Sequence, residues 1–359
     1  MIQRIYHLKR ALPELFELEK LIQRGRHQLR VSVPAHIRQR VDEHHIDLPF
    51  YVIEAGSLAP LAPTLILVGG VHGIERIGTQ VILAFLRTLL ERLDWDPAIH
   101  EQLAQLRLLV LPIVNPAGMW RNQRANANGV DLMRNAPIDA DGDTPWLIGG
   151  QRISRHLPWY RGRKEQPMES ESQTLVDVVG TAIRDQPHCI SIDCHSGFGV
   201  RDRLWFPYAG SHHPWPSIAE ALALTQLFER TYPSHTYLFE PQSLSYTTHG
   251  DLWDYLYQRY SNHKPDGIYL PLTLEMGSWL WVKKNPRHLF RYHSLFNPIM
   301  PHRQQRIQRR HLLLFDFLMS AVRSMPTWAP AQLEQKQSLH HLALERWYPH
   351  ESWQVSNPG

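Results

Sequence analysis

Leu65-Ile66-Leu67-Val68-Gly69-Gly70-Val71-His72-Gly73-Ile74-Glu75 opens as an apolar run of strand length, is broken by two glycines, and ends with a histidine and a glutamate three apart. A buried strand that stops in a glycine turn delivers its next residues to the carboxyl edge of a sheet, where open α/β sheets place their ligands. An imidazole and a carboxylate at i and i+3, on a turn that leads into a helix, can converge on one cation. Zinc accepts that mixture of nitrogen and oxygen ligands. A lone His-x-x-Glu is nevertheless common by chance. A site requires a third ligand, a base and a group that holds negative charge.

Working outward, residues 50–54 read as a neighbouring strand, 12–21 as a helix and 29–33 as a short strand. After Glu75, apolar residues at 77, 81, 82, 85, 86, 89, 90 and 93 mark a helix that ends before Pro97. Residues 108–114 are all apolar and read as a strand despite Pro112, closed by the Asn115-Pro116 turn signal. The loop over 119–135 holds three arginines, four asparagines and an aspartate, too polar for a core and well placed for binding. Residues 137–166 lack periodicity and read as loops, and 170–183 as a helix. Ile190-Ser191-Ile192-Asp193-Cys194-His195 then repeats the arrangement at His72, a buried strand followed by a ligand-type residue and a glycine. Short strands are expected at 204–208 and 236–240, and helices at 218–232 and 252–260. A last strand at 268–274 ends in Glu275, and a carboxylate there is costly unless it has a partner or a task.

No linker or repeat divides the 359 residues. The expected organisation is a helical extension over 1–48, a main domain over 49–325 and a C-terminal extension over 326–359 with an amphipathic helix at 333–347. A formal charge of +4 is mild, and Arg303, Arg306, Arg309 and Arg310 fall at the spacing of a solvated helix face rather than a nucleic-acid stripe. The only cysteines, Cys189 and Cys194, flank a short strand on opposite faces and read as free thiols of a reducing compartment. The first residues carry charges where a signal peptide needs an apolar core, and no run has the length of a membrane span. A cytoplasmic protein with no nucleic-acid or membrane partner is expected.

Four strand ends thus offer His72 with Glu75, a cationic loop, His195 and Glu275. Two histidines and one glutamate leave the fourth tetrahedral position of a zinc ion open, the pattern of a catalytic site. Glu275 would take a proton from metal-bound water, and a loop arginine would stabilise the oxyanion.

At these residues the sequence resembles the zinc carboxypeptidase (carboxypeptidase A-like) metallopeptidase family. That family orders a His-x-x-Glu, an Asn-Pro turn, an arginine-bearing loop ending in Gly-Val-Asp-x-Asn-Arg-Asn, a His after a strand and a Glu after the last strand. The resemblance covers about residues 50–290, with similar spacing between the ligands. It implies a three-layer α/β/α fold with a mixed, mostly parallel sheet, and one zinc ion held by His72, Glu75 and His195. It also implies Glu275 as general base and then acid, Asp131 as the carboxylate that orients the first histidine, and Arg134 with Asn135 and Tyr246 as substrate-binding residues. Either Arg121 or Arg124 matches the oxyanion arginine, with Arg124 preferred. One departure stands out: Met133 replaces an asparagine and cannot donate the amide hydrogen bond that helps hold a carboxylate. The expected activity is therefore zinc-dependent hydrolysis of a peptide's C-terminal amide bond by metal-bound water. The alternatives are a deacylase or amidase acting on N-acyl amino acids or peptidoglycan stem peptides, and a silent protein that binds peptide ends.

Overall fold

The computed structural model describes residues 10–41, 44–284, 295–298 and 300–349. The run that opens the sequence reading becomes a fully buried strand (Thr64–Gly69) inside an eight-stranded sheet. In chain order the strands are β1 (Arg30–Val41), β2 (His44–Gly56), β3 (Thr64–Gly69), β4 (Arg107–Leu111), β5 (His188–Ser196), β6 (Arg203–Phe206), β7 (Leu238–Pro241) and β8 (Ile268–Met276). Their order across the sheet is β1-β2-β4-β3-β5-β8-β6-β7. The central block β4-β3-β5-β8 is parallel, as is β6-β7, while the β1-β2, β2-β4 and β6-β8 pairings are antiparallel. The sheet is mixed and mostly parallel, as expected.

The parallel block is buried on both faces, and strands so placed read as continuous apolar runs rather than alternating ones. The helix Arg76–Leu93 packs on β3 and β5 beside the helix Pro301–Arg323 and the amino-terminal helix Pro13–Arg24. The helices Ser170–Ile183 and Leu252–His263 pack together and against β3 and β8. Arg76, at the start of its helix, ties the amino-terminal helix to this core, since its Nη1 donates to Glu14 Oε2 over 2.5 Å and its Nη2 to the Met119 carbonyl over 2.6 Å.

Three expectations shift. The short strand at 29–33 extends to Val41 and pairs with β2, so residues 30–41 and 44–48 are sheet rather than helix and position 48 lies within β2. β1 is an edge strand with most side chains in water, so it lacks the apolar run that marks a buried strand. The strand expected at 108–114 stops at Leu111, because Pro112 has no N–H to continue a ladder. The tail helix Leu333–Trp347 lies where expected and docks through Trp347, whose indole Nε1 donates to the Phe239 carbonyl over 2.8 Å. Among the described residues no helix is long and apolar enough to cross a membrane.

Candidate active site

β3 turns out of the sheet at Gly70, whose φ of +68° is a left-handed conformation that favours glycine. The chain then passes so close to residues 118 and 119 that a Cβ on Gly73 would stand 2.2 Å from the Met119 nitrogen. Asn115 seals this contact: its Oδ1 accepts from Gly118 N over 2.8 Å, and its Nδ2 reaches the carbonyls of Val71 (3.3 Å) and Arg124 (3.4 Å). The Asn-Pro turn therefore does more than stop a strand. It holds the cationic loop against the turn that carries His72 and Glu75.

β5 and β8 bring the other two groups, and their parallel register sets His195 beside Glu275. His72, Glu75 and His195 are all buried, and their ligand atoms lie within 4.8 Å of one another. The two Nδ1 atoms are 3.1 Å apart; His72 Nδ1 is 3.0 Å from Glu75 Oε1 and His195 Nδ1 is 3.0 Å from Glu75 Oε2. Neighbouring ligands of a tetrahedral zinc ion, with bonds of about 2.0–2.1 Å, stand about 3.3 Å apart. Each imidazole turns its remaining nitrogen to a buried carboxylate: His72 Nε2 to Asp131 Oδ1 at 2.9 Å, and His195 Nε2 to Asp193 Oδ2 at 2.6 Å. With both Nε2 atoms engaged, both Nδ1 atoms face the same point, where their lone pairs would meet an ion once any proton has left. The donor set fits zinc.

Burial raises the cost of charge on Glu75, but His72 and His195 outweigh it and hold the carboxyl far below its usual range. Asp131 is likewise held low against its burial by Arg124 and His72. His195 moves the other way: burial disfavours its charge, yet Asp193 and Glu75 raise its pKa well above the ordinary 6.5. Glu275 is pushed up to about 8 by burial and by the negative charge of Glu75. A carboxyl that holds its proton to such a pH can both take and return one.

Arg124 joins the cluster. Its Nε donates to Asp131 Oδ2 over 2.8 Å and its Nη1 to Glu75 Oε1 over 3.0 Å. Arg121 does not join it, for it is exposed and donates to the Ala127 carbonyl. Arg134, Tyr246 and Met133 line the cleft with His72, Glu75, Arg124, His195 and Glu275, and the Arg134 guanidinium lies 6.0 Å from the Tyr246 ring centre. Asn135 is spent on the scaffold: its Nδ2 donates to the Arg161 carbonyl over 3.0 Å and its Oδ1 accepts from Glu169 N over 2.6 Å.

The sequence reading missed several groups. Asp193 is fully buried and also accepts from the Trp253 indole over 3.1 Å. Trp205, Gln242 and Thr273 complete the cleft wall. Asp193 carried a usable signal, because strand side chains alternate and a residue two before His195 must share its face. Trp253 and Gln242 carried none, since their nearness to the cluster comes only from the tertiary fold.

A family model for zinc carboxypeptidases matches residues 42–278, more than half of the chain. The chain belongs to the zinc carboxypeptidase family. It is 34% identical over 156 residues to carboxypeptidase E of Caenorhabditis elegans, a match spanning 40% of this chain and 32% of that protein. It is 29% identical over 177 residues to the carboxypeptidase N catalytic chain of Rattus norvegicus, spanning 44% of this chain and 36% of the relative. The matches thus span about a third of those relatives' length. Among solved structures, thrombin-activatable fibrinolysis inhibitor superposes with a TM-score of 0.60 at 18% identity, covering 85% of this chain and 72% of that one. Carboxypeptidase A from Helicoverpa armigera gives 0.54 at 15% identity, covering 83% and 71%. These two likenesses show the fold.

Proposed function

We propose that this protein removes the C-terminal residue of a peptide, with one zinc ion held by His72, Glu75 and His195. When bound, the ion supplies a Lewis acid and lowers the pKa of water towards about 7. The chain's own residues supply the rest. Glu275 accepts the proton of the attacking water and returns it to the leaving amine. Arg124 is pinned by Asp131 and Glu75 through Nε and Nη1, which leaves Nη2 to meet the negative charge that develops on the carbonyl oxygen. Asp131 and Asp193 hold the two imidazoles in the tautomer that aims Nδ1 inward.

One observation carries the C-terminal assignment. Arg134 is 3% exposed and its guanidinium makes no ion pair among the described residues; its side chain reaches the Ile148 carbonyl from Nε over a long 3.4 Å and the neutral Tyr246 hydroxyl. A buried guanidinium without a carboxylate is costly, and the terminal carboxylate of a substrate supplies the missing partner in bidentate geometry. The names of the relatives, all carboxypeptidases, support the same reading. The test compares blocked dipeptides bearing a free or an amidated terminus. Turnover of the free acid alone supports the proposal, and equal turnover of both refutes it.

Met133 favours a second reading, a deacylase or amidase acting on N-acyl amino acids or peptidoglycan stem peptides, because the thioether cannot donate to a carboxylate beside Arg134. Hydrolysis of those compounds with weak turnover of blocked dipeptides selects it. A silent peptide-end binder has no use for Glu275. We assign the protein to the cytoplasm, a reading supported by two buried, unbridged cysteines.

A further inference from the structure

Three of the four arginines that read as a solvated helix face border a cavity of about 690 Å³. Its walls are residues 200–202, the approach to β7 at 235–238, the segment 277–281 after β8, and the first turns of the helix Pro301–Arg323. Arg201, Arg303 and Arg306 line it and form no ion pair among the described residues, and Arg303 Nη1 is buried with no hydrogen-bond partner. The one carboxylate in the lining among the described residues, Asp202, is already used: Oδ2 accepts from Arg310 over 2.6 Å and Oδ1 from Gly277 N over 3.0 Å. A cleft with surplus charge of one sign concentrates ligands of the other, and a buried donor without an acceptor calls for one.

The cavity wall continues the strands that reach the metal centre. Gly277 lies two residues past Glu275, and Arg203, next to Asp202, pairs with Glu275 across the sheet. An aromatic ridge leads from the cleft towards the cavity: Tyr246, in the cleft wall, is 5.8 Å from Phe198, which is 5.7 Å from Trp279, the residue before the cavity-lining Leu280 and Trp281. The Trp279 indole donates to the Gly197 carbonyl over 2.9 Å, clasping the loop after β5 to the segment after β8. Extended peptide advances about 3.3 Å per residue, so about three residues cross this ridge.

We propose that the cavity is a subsite for an acidic side chain of the peptide substrate, about three to four residues before the scissile bond. This rests on the peptidase reading of the metal centre. Guanidinium groups from two walls grip the carboxylate, and the ridge carries the backbone between the subsite and Arg134.

Binding of a fluorescent hexapeptide with glutamates upstream of its C-terminal residue is compared with its glutamine counterpart, by anisotropy on zinc-loaded Glu275→Gln protein. The glutamate peptide binds about tenfold or more tightly at low salt, and the preference collapses in Arg303→Gln/Arg306→Gln, in Arg201→Gln and at high salt. Equal affinities, or a preference that survives both sets of substitutions, overturn the proposal. Inorganic phosphate that displaces the peptide completely at concentrations below those of free glutamate also overturns it, since the cavity is then a site for free phosphate. Cleavage of the glutamine peptide by the unmodified protein tests the peptidase reading separately, so the two can fail independently.

Discussion

Replacing Asp193 with asparagine removes a negative charge from a fully buried position 2.6 Å from His195 Nε2 while leaving the size of the side chain unchanged. The carboxylate makes the imidazole a stronger base and fixes its ring through a second bond, from the Trp253 indole at 3.1 Å. Loss of such a partner typically costs 10–100-fold in metal affinity. The amide oxygen can still accept from Nε2, so orientation survives in part and the effect of Asp193→Asn belongs near the lower end, about tenfold or about 1.4 kcal/mol. Asp193→Ala removes charge and acceptor together and belongs near the upper end, about 100-fold. Trp253→Phe leaves the carboxylate but frees it to rotate, and should weaken zinc by a smaller factor. The assay is competition with a chromogenic chelator at fixed pH, with thermal unfolding recorded on the metal-free proteins to separate metal loss from misfolding. Unchanged zinc affinity in Asp193→Ala, with the fold intact, would refute the reasoning.

Other outcomes follow from the same geometry. Glu275→Gln should keep zinc and lose turnover by a factor of about 10² or more, measured as kcat on a blocked dipeptide. Arg134→Gln should raise KM more than it lowers kcat, because the guanidinium holds the substrate rather than the reacting atoms. Zinc uptake should weaken as pH falls: the His195 pKa is raised in the metal-free site, so the proton bound there must leave for the ion to enter, and competition begins above pH 6.5. Titration calorimetry in buffers of different ionisation enthalpy reads that proton release. Glu14→Ala strands the buried Arg76 guanidinium and should destabilise the fold by about 3–5 kcal/mol, measured by urea unfolding of the metal-free protein.

The central sheet and the reactive cluster were legible because both rest on local pattern. Uninterrupted apolar runs mark strands buried on two faces, and the residues following each run inherit a position at the sheet edge. That logic reached His72, Glu75, His195 and Glu275 without knowledge of any contact. It caught only the start of β1, most of whose side chains face water, and overran at Pro112, where composition suggested continuation and a missing N–H stopped the ladder. It also left Arg121 and Arg124 unresolved, since a loop has no period. Only the Asn115 hydrogen bond to the Arg124 carbonyl and the ion pairs to Asp131 and Glu75 separate them. Sequence could not separate Asn135 from its neighbour Arg134, which faces the cleft, whereas the Asn135 amide is taken up by residues 161 and 169.

Zinc content by elemental analysis, on the unmodified protein and on His72→Ala and His195→Ala, examines the metal centre most directly. One ion per chain in the first, and its loss from each variant with helix content retained, is the predicted result. An unmodified protein that takes up no zinc, or variants that hold it as firmly as the parent, would contradict the account.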